Sequence, residues 1–348
     1  MTNAYLATWV HHLDPFAIQF TESFGIRWYG LAYVAGFLAA FFLIRWFVRL
    51  GASELKEDQV ADHITICALF GTMIGGRLGY MLLYNWEGFA NNPLSFFDFL
   101  GGGMSSHGGI AGITIAAGLY AWYTKKSWIG LGDNLVVVAP IGVFFGRLAN
   151  FVNGELFGRK TESSLAMKFP EELHEWVQVP GGGGWMFPTD QLRALASRAS
   201  DVAPGLLDQI NAAVSHAAAS GLNAHAAAVN VIVEASRENA AFRALLGEIL
   251  TPRHPSQLYE ALVEGLIPFL VLLVIRLRWK NLYHGILTGT FFILYAISRI
   301  LVENFREPDA ERIMGLTRGQ FYSTFMIVAG IAFLMYAFLR KRRNQLPG

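Results

Sequence analysis

Residues 28–47 read WYGLAYVAGFLAAFFLIRWF, a stretch in which Arg45 is the single charged side chain. A hydrocarbon core about 30 Å thick requires roughly 20 apolar residues of α-helix. The whole chain of 348 residues has the same character, because 53% of it is hydrophobic, only 15% is charged and its mean hydropathy is +0.37. Soluble domains carry about 25% charged residues. The stretch therefore predicts a helix that crosses a membrane.

Six further stretches show the same pattern, so the sequence predicts an all-α, polytopic membrane protein built as a seven-transmembrane-helix bundle. The predicted spans are Trp28–Phe47, Asp62–Tyr84, Gly108–Tyr123, Gly132–Phe151, Leu258–Leu277, Gly285–Val302 and Gln320–Leu339. The second, third and fourth spans are rich in glycine and less apolar than the rest. This composition favours close helix packing or an enclosed polar site over contact with lipid.

Positive charge is concentrated in one set of loops between these spans. Those loops carry twelve basic residues: Arg45, Arg49, Lys56, Lys125, Lys126, Arg276, Arg278, Lys280, Arg340, Lys341, Arg342 and Arg343. On the opposite side, Asn85–Ser106 carries none, and three arginines follow span six: Arg306, Arg312 and Arg318. Because positively charged loops stay in the cytoplasm, we expect the N-terminus outside and the C-terminus inside. No basic region precedes span one, so we expect no cleaved signal peptide.

Residues 161–253 do not fit the membrane pattern. They contain six Lys or Arg against ten Asp or Glu, and their alanine-rich middle has helix breaks near Pro204 and Gly221. We expect an extracytoplasmic helical insertion between spans four and five. Docking of a protein substrate and a lineage-specific addition without a catalytic task are equally open interpretations of it.

The densest polar group lies in GRLANFVNGELFG, residues 146–158, at the outer end of span four. It contains Arg147, Asn150, Asn153 and Glu155. Charged residues near a bilayer centre cost about 2.5–3.5 kcal/mol on insertion scales and usually face a cavity and a partner. Arg147 and Asn150 share a helix face, and Asn153-Gly154 predicts a turn that ends the helix and directs Glu155 inward. We favour a functional site over a polar helix end whose arginine reaches the headgroup layer.

Span six carries a polar stripe, because Tyr295, Arg299 and Glu303 are spaced four residues apart on one helix face. Arg299 and Glu303 can form an internal ion pair, which is the structural interpretation. Arg147 and Arg299 lie on different helices, and guanidinium donors match the oxygens of a phosphate group. We favour a phosphate-binding role for at least one of these two arginines.

Two further motifs contain histidine. GGGMSSHGG, residues 101–109, places His107 between glycines, where backbone can approach a ligand closely and an imidazole can accept a proton. A structural histidine is an equally open interpretation. Residues 253–260 read RHPSQLYE, in which Pro255 suits the first turn of a helix, while the roles of His254 and Gln257 stay open.

Composition and motifs also exclude or disfavour several classes of function. The formal charge of +1 shows no basic excess for nucleic acid. The single Cys67 cannot form an intrachain disulfide, and in its apolar run we expect a packing thiol. No cluster has metal-ligand spacing, so we expect no metal or other cofactor. An anion transporter predicts an internal repeat, and an intramembrane protease predicts a G-x-S-G motif or paired aspartates. Neither pattern is clear, and both classes remain alternatives.

Four motifs together closely resemble prolipoprotein diacylglyceryl transferases, bacterial membrane enzymes of lipoprotein maturation. They are GRLANFVNGELFG, HGG after a glycine-rich loop, HPSQLYE, and the span-six helix that ends in ENFREPD. The resemblance covers roughly residues 25–160 and 253–340, but not the insertion. It implies a seven-helix bundle with an extracytoplasmic head in the bacterial inner membrane. It also implies transfer of an sn-1,2-diacylglyceryl group from phosphatidylglycerol to the lipobox cysteine of a prolipoprotein signal peptide, with glycerol phosphate as the second product.

The same resemblance implies roles for individual residues. Arg147 would bind the lipid phosphate, and Arg299 would be the second essential arginine. Catalytic roles are expected for His107, Arg147, Arg299, Glu155, Tyr29 and Tyr295. Contact with phosphatidylglycerol is expected for Arg147, Arg299, Asn150, Asn153, Gly158 and Tyr295. His107 is the candidate base that activates the thiol, although a phosphate oxygen or water could serve instead. The expected partners are phosphatidylglycerol, a prolipoprotein and the lipid bilayer, with no nucleic acid.

The expected domain organisation follows from the spans and this resemblance. An N-terminal periplasmic segment at 1–27 precedes residues 28–160, which contain spans one to four and the signature loop, the part of GRLANFVNGELFG that follows the turn at Asn153-Gly154. The insertion occupies 161–253, spans five to seven occupy 254–340, and a cytoplasmic tail occupies 341–348.

Overall fold

The computed structural model describes residues 9–21, 25–99, 103–174, 195, 198–307 and 312–343, which are predominantly helical. The helices are α1 (Trp28–Arg49), α2 (Gln59–Leu83), α3 (Trp86–Asn91), α4 (Ser106–Tyr123), α5 (Trp128–Asn153), α6 (Leu206–Ala219), α7 (Ala224–Glu238), α8 (Ala240–Ile249), α9 (Ser256–Arg278), α10 (Ile286–Val302) and α11 (Arg318–Arg340). Short 3₁₀ helices cover Pro93–Phe97 and Pro170–His174. Helices α2 and α9 each contain a π-helical stretch, at Cys67–Ile74 and Ala261–Leu266.

Within the described part of the chain, five helices are long and apolar enough to cross a membrane. They are α1, α2, α5, α9 and α11, and they confirm five of the predicted spans to within a few residues. The other two predicted spans are helices as well. Helix α4 is not among the five because its glycines, Ser106 and His107 lower its hydropathy, and α10 is apolar but has only 17 residues. The helices are consistent with a polytopic membrane protein, and the number of seven crossings stays a prediction.

Local side chains fix where several helices begin. The hydroxyl of Ser105 accepts the N–H of Gly108 at 3.1 Å at the start of α4. Thr317 and Gln320 form a capping box at the start of α11. Both arrangements satisfy N–H groups that the first helical turn leaves without a backbone partner. The predicted breaks in the insertion are confirmed, because Gly205 and Gly221 have φ of +82° and +67° and flank α6.

A small antiparallel hairpin departs from the all-α prediction. Strand β1 (Phe16–Gln19) pairs with strand β2 (Gly25–Arg27), with Phe16 opposite Arg27. The guanidinium of Arg27 lies over the Phe16 ring, 4.4 Å from its centroid. Strands of three and four residues contain too few alternations for hydrophobic periodicity to identify them, which is why the sequence did not predict the hairpin.

The chain divides into two compact units. The first unit comprises Met1–Leu31, Arg147–Glu260 and Val302–Asp309. Its hydrophobic core joins α6, α7 and α8 to the 3₁₀ helix at Pro170–His174 through buried side chains that include Leu173, Leu206, Val229, Phe242 and Leu246. The described residues between 198 and 253 therefore pack helices around a core, as the alanine-rich pattern predicted.

The second unit comprises Ala32–Gly146, Ala261–Leu301 and Ala310–Gly348. Its core packs side chains of α1, α2, α4, α5, α9 and α10, among them Ile44, Val60, Tyr120, Leu131, Leu272 and Leu287. Cys67 of α2 is buried, so the prediction of a packing thiol is confirmed.

Glycines bring α2 and α4 into close contact within the second unit. A Cβ on Gly75 would lie 2.8 Å from Cα of Gly112, and a Cβ on Gly108 would lie 2.7 Å from Cα of Gly79. Small residues allow helix backbones to approach this closely. The close packing predicted from glycine content is therefore confirmed for spans two and three.

Asp133 of α5 fixes the beginning of α10. Its carboxylate accepts the N–H groups of Gly285 and Thr288, each at 2.8 Å, and the Thr288 hydroxyl at 2.7 Å. These bonds satisfy N–H groups at the start of α10 from a neighbouring helix. Because α10 carries Tyr295 and Arg299, Asp133 contributes to the placement of both.

Candidate active site

The turn after α5 confirms the helix end predicted from Asn153-Gly154. Gly154 has φ of +72°, its N–H donates to the carbonyl of Phe151 at 3.0 Å, and the N–H of Glu155 donates to the carbonyl of Asn150 at 3.1 Å. This is the Schellman arrangement, in which a left-handed glycine ends a helix and reverses the chain. The sequence folds this way because glycine takes a positive φ without steric cost.

Two amide side chains converge on the carboxylate that this turn presents. The Nδ2 atoms of Asn150 and Asn153 donate to Oε1 of Glu155, at 2.8 Å and 3.3 Å. Asn150 is buried, whereas Glu155 is exposed, so the direction of Glu155 toward the interior is not observed. Three of the predicted site residues are thus joined by hydrogen bonds.

The loop after the turn is paired with the HPSQLYE motif along the backbone. Gly158 donates to the carbonyl of His254 at 2.8 Å, and His254 donates to the carbonyl of Arg159 at 2.9 Å. A Cβ on Gly158 would lie 2.9 Å from the His254 carbonyl oxygen and closer to that of Phe305. Close backbone approach accounts for a glycine at this position, and its predicted contact with lipid stays a prediction.

Side chains of the same motif bind the signature loop at two more points. The Ser256 hydroxyl donates to the carbonyl of Leu156 at 3.0 Å, and Nε2 of Gln257 donates to the carbonyl of Glu155 at 2.7 Å. Burial lowers the pKa of His254, which keeps its imidazole neutral at pH 7. Sequence analysis assigned no role to His254 and Gln257. In the structure, both form hydrogen bonds to the loop that carries Glu155.

Two buried acceptors stand beside this network. Across the described residues, Oδ1 of Asn153 and Oε1 of Gln257 receive no hydrogen bond. A buried polar atom without a partner is costly, so native structures usually supply one. Both oxygens therefore suit a ligand that brings O–H or N–H donors.

Arg147 is held by a carboxylate that sequence analysis did not assign. Its Nη2 lies 2.9 Å from Oε2 of Glu260, and the Nη1 of Arg306 lies 2.8 Å from both oxygens of the same carboxylate. The Glu260 side chain is 0% exposed, while that of Arg147 is 20% exposed. Glu260 thus fixes one edge of the Arg147 guanidinium, while part of the side chain is reachable from solvent.

Arg299 is also paired with a buried carboxylate. Its Nη1 lies 3.1 Å from Oε1 of Glu264, whose side chain is 0% exposed, whereas 17% of the Arg299 side chain is exposed. Glu303 lies within 4.0 Å of Arg306 through Oε2 and Nε. Arg299 thus has a charged partner in Glu264 on α9, and Glu303 has one in Arg306, three residues further along the chain. An internal ion pair between Arg299 and Glu303 stays a prediction.

The remaining predicted site residues occupy helix ends and faces. Tyr295 of α10 is half-buried, with its ring centroid 5.7 Å from that of Phe291. His107 is exposed in the first turn of α4, and Tyr29 is half-buried in the first turn of α1. The structure brings Asn150, Asn153 and Glu155 together in the first unit, which also contains Arg147, Gly158 and Tyr29. The second unit contains His107, Tyr295 and Arg299.

A further buried ion pair closes the ends of the insertion. The Nε of Arg253 donates to Oε2 of Glu172 at 2.7 Å, and the N–H of Thr251 donates to Oε1 at 2.7 Å. The Arg253 guanidinium also lies over the Phe157 ring, 4.8 Å from its centroid. This pair joins the two ends of the insertion beside the signature loop. The charges of Arg253 and Glu172 were visible in the sequence, but nothing in it indicated that they pair.

No group of three or more His, Cys, Asp or Glu side chains that could hold a metal ion occurs in the described ranges.

Comparison with known proteins gives one consistent result. A family model described as prolipoprotein diacylglyceryl transferase matches residues 15–336. The phosphatidylglycerol–prolipoprotein diacylglyceryl transferase of Bdellovibrio bacteriovorus is 39% identical over 357 aligned positions, covering 97% of this chain and 96% of the relative. Proteins of the same name from Rhodospirillum rubrum and Burkholderia cenocepacia are 34% and 32% identical. The alignment with the Rhodospirillum rubrum protein covers 97% of this chain and 96% of that relative. The alignment with the Burkholderia cenocepacia protein covers 96% of this chain and 97% of that relative.

Proposed function

This chain belongs to the prolipoprotein diacylglyceryl transferase family, and we propose that it transfers an sn-1,2-diacylglyceryl group from phosphatidylglycerol to a prolipoprotein. The acceptor is the lipobox cysteine thiol of the signal peptide, and the products are a thioether-linked lipid and glycerol phosphate. The observation that carries the proposal is that Arg147, a partly exposed arginine of the GRLANFVNGELFG motif, is fixed by the buried Glu260.

Arg147 binds the phosphate of the lipid in this proposal. A guanidinium has five N–H donors in a planar fork that matches phosphate oxygens. The contact with Glu260 orients that fork, and Arg306 shares the same carboxylate, so Glu260 does not neutralise Arg147 alone. The exposed fifth of the Arg147 side chain is where an anion can reach it.

The other predicted residues have supporting roles. Arg299 adds a second guanidinium for the phosphate, and Tyr295 and Tyr29 contact the lipid headgroup. Asn150, Asn153 and Glu155 orient the headgroup beside Gly158. The buried Oδ1 of Asn153 suits a glycerol hydroxyl, because a hydroxyl donates the hydrogen bond that this oxygen does not receive from the described residues.

The transfer step is a displacement at carbon. A base takes the proton of the cysteine thiol, and the thiolate sulfur forms a bond to the glyceryl carbon attached to phosphate. The bond between that carbon and the phosphate oxygen breaks, and its electron pair leaves with the oxygen as glycerol phosphate. Arg147 and Arg299 offset the negative charge that grows on the leaving phosphate. His107 is the proposed base.

The membrane arrangement is part of the proposal. Seven helices cross the bacterial inner membrane, with α4 and α10 as the two additional crossings, and the insertion at 161–253 forms a periplasmic head. The N-terminal segment is periplasmic and the tail after residue 340 is cytoplasmic, as the basic loops indicate. The partners are phosphatidylglycerol, a lipobox prolipoprotein and the surrounding bilayer, with no nucleic acid.

The deciding experiment uses the full chain in vesicles that contain phosphatidylglycerol, with a synthetic lipobox peptide as acceptor. We expect mass spectrometry to find the peptide carrying a thioether-linked diacylglyceryl group. Arg147→Ala should abolish transfer. Arg198→Ala, which breaks an exposed ion pair with Glu248 in the insertion, should retain it.

Two other outcomes contradict the proposed activity, and a third contradicts only the role of Arg147. Cleavage of the peptide without added lipid indicates an intramembrane protease, and lipid flux without peptide modification indicates a transporter. Wild-type transfer by Arg147→Ala removes that arginine from phosphate binding.

A further inference from the structure

A carboxylate from outside the signature loop packs against its turn. Gly154 is buried, and a Cβ at this position would lie 2.7 Å from Oε1 of Glu171 and closer still to Oε2. Glu171 belongs to the 3₁₀ helix Pro170–His174. Its side chain therefore occupies the space that any side chain at position 154 would need.

Arg237 of the insertion holds this carboxylate in place. Its Nη2 donates to Oε1 of Glu171 at 3.1 Å, and its Nη1 donates to Oε2 of Glu234 at 3.1 Å. The side chains of Glu171 and Arg237 are only 14% and 16% exposed. Because water and salt screen a partly buried pair less than a surface pair, this contact orients Glu171 more firmly than an exposed ion pair would.

The N-terminal segment closes the other side of Glu171. Nδ1 of His11 lies 3.7 Å from Oε2 of Glu171, and the His11 ring stacks on Phe169 with centroids 5.5 Å apart. The same ring meets Phe151, in the last turn of α5, edge-on at 5.7 Å. Burial lowers the pKa of His11 to about 4, so the ring is neutral at pH 7. Glu171 is thus enclosed by three segments around one turn.

Glu171 also interacts electrostatically with the carboxylate that the turn presents. Burial raises the pKa of Glu171, Arg237 opposes the rise, and the charge of Glu155 adds to it. Such an effect requires that the two carboxylates lie within range of each other. Movement of Glu171 therefore changes both the packing on Gly154 and the field at Glu155.

We propose that Glu171 is a positioning residue for the transfer reaction, and that its carboxylate, held by Arg237, fixes the turn at Gly154. The fixed turn sets the directions of Asn153 and Glu155. This inference rests on the proposed function, which assigns those two residues to substrate binding and catalysis. The insertion then has a defined task, because α7 supplies the cation that keeps Glu171 on the turn.

The first test measures kcat and KM for diacylglyceryl transfer to a lipobox peptide, with the full chain in phosphatidylglycerol vesicles. Glu171→Ala should lower kcat/KM about tenfold to a hundredfold, because small displacements of site groups have effects of this size. Glu171→Gln keeps the side-chain volume and an oxygen for Arg237, so its loss should be smaller. Arg237→Met should lower kcat/KM, while the matched Arg198→Met should match the wild type.

The second test asks whether these residues act through one another. If Glu171 acts through the turn, the combined loss of Gly154→Ala and Glu171→Ala should be smaller than the product of the two single losses. Glu171→Ala removes the group that the new methyl meets, while the strain of a side chain at φ of +72° remains. Likewise, Arg237→Met should add little to Glu171→Ala. Arg237→Met keeps the residues of the turn and Glu171 itself and removes only the cation, so it carries the test if Glu171→Ala cannot be purified.

Several results overturn the inference while leaving the proposed function intact. One is a wild-type kcat/KM for Glu171→Ala or for Arg237→Met. Another is an equal loss of kcat/KM for Glu171→Gln and Glu171→Ala. The third is that the losses of the single variants multiply fully in the double variants. Failure of the proposed function has a different signature, because the wild-type chain then transfers no lipid to the peptide.

Discussion

At the scale of single residues, Glu260 has an unusual arrangement, because one carboxylate without solvent exposure serves two arginines. Arg306 contacts both of its oxygens, and Arg147 contacts one of them. Removing one partner from a buried ion pair costs about 3–5 kcal/mol, since the remaining charge is left without compensation. Glu260 therefore determines both the placement of Arg147 and part of the stability of the first unit.

Glu260→Gln should therefore destabilise the protein and abolish transfer. The amide keeps the shape of the side chain but not its charge, and two guanidiniums then share a neutral partner. We expect the free energy of unfolding to fall by about 3 kcal/mol or more, visible as a lower melting temperature in detergent. Glu162→Gln, at an exposed position, is the control and should melt like the wild type. A Glu260→Gln protein with wild-type melting and transfer would refute this role.

His107 is the residue whose predicted role is most directly tested by pH. If His107 takes the thiol proton, His107→Gln should lower the transfer rate and flatten the rise of rate with pH, because glutamine cannot accept a proton. The measurement is the pH–rate profile in phosphatidylglycerol vesicles. A variant that keeps most of the rate and an unchanged profile shows that another group is the base.

The sequence allowed only part of the residue-scale site to be predicted. Arg147 and Arg299 were recognisable, because arginines in apolar helices need a functional or structural reason. Glu264 gave the same signal, a carboxylate within an apolar span, and was missed. Which carboxylate faces which arginine depends on how helices pack, and sequence spacing carries no information on contacts between segments distant in the chain.

At the scale of elements, apolar length and turn chemistry predicted where helices begin and end. They did not predict how the helices pack against one another. The span boundaries and the end of α5 at Asn153 follow from hydropathy and from an Asn-Gly dipeptide. The π-helical stretches at Cys67–Ile74 and Ala261–Leu266 give no comparable pattern, because they depend on packing around the helix. Glycine content predicted close packing for α2, but not which helix it meets.

The glycine contacts between α2 and α4 give a prediction with an internal control. Gly112→Ala places a methyl group against Gly71 and 2.9 Å from Cα of Gly75. We expect a loss of about 1–3 kcal/mol, as for other overpacked sites. Gly142→Ala has nothing within 4 Å of the added methyl, so it should leave the melting temperature unchanged or raise it through better helix propensity. Equal melting temperatures for the two variants would contradict the packing argument.

At the scale of the whole molecule, the sequence predicted the class of protein and the helical insertion. The short hairpin β1–β2 escaped it, as did the grouping of the insertion with the end of α5 in one compact unit. That grouping depends on contacts such as Arg253 with Glu172, which join residues far apart in the chain. Orientation in the membrane remains a prediction from the basic loops.

Thiol labelling tests that orientation. Ser220→Cys lies at an exposed position in the insertion, and Lys280→Cys lies at an exposed position in a basic loop. In intact spheroplasts, a membrane-impermeant maleimide should label Ser220→Cys, whereas Lys280→Cys should react only after permeabilisation. The wild-type chain is the blank, because its only cysteine, Cys67, is buried. The reverse labelling pattern would invert the proposed topology.

The burial of Cys67 has a further consequence for an enzyme whose proposed acceptor is a thiol. A reachable cysteine on the enzyme would compete with the signal peptide for the lipid and would leave the catalyst permanently alkylated, since a thioether is not readily reversed. With its only sulfhydryl enclosed in α2, the protein offers phosphatidylglycerol no thiol acceptor of its own. Self-lipidation is thereby avoided by composition and burial together, without any dedicated protective element.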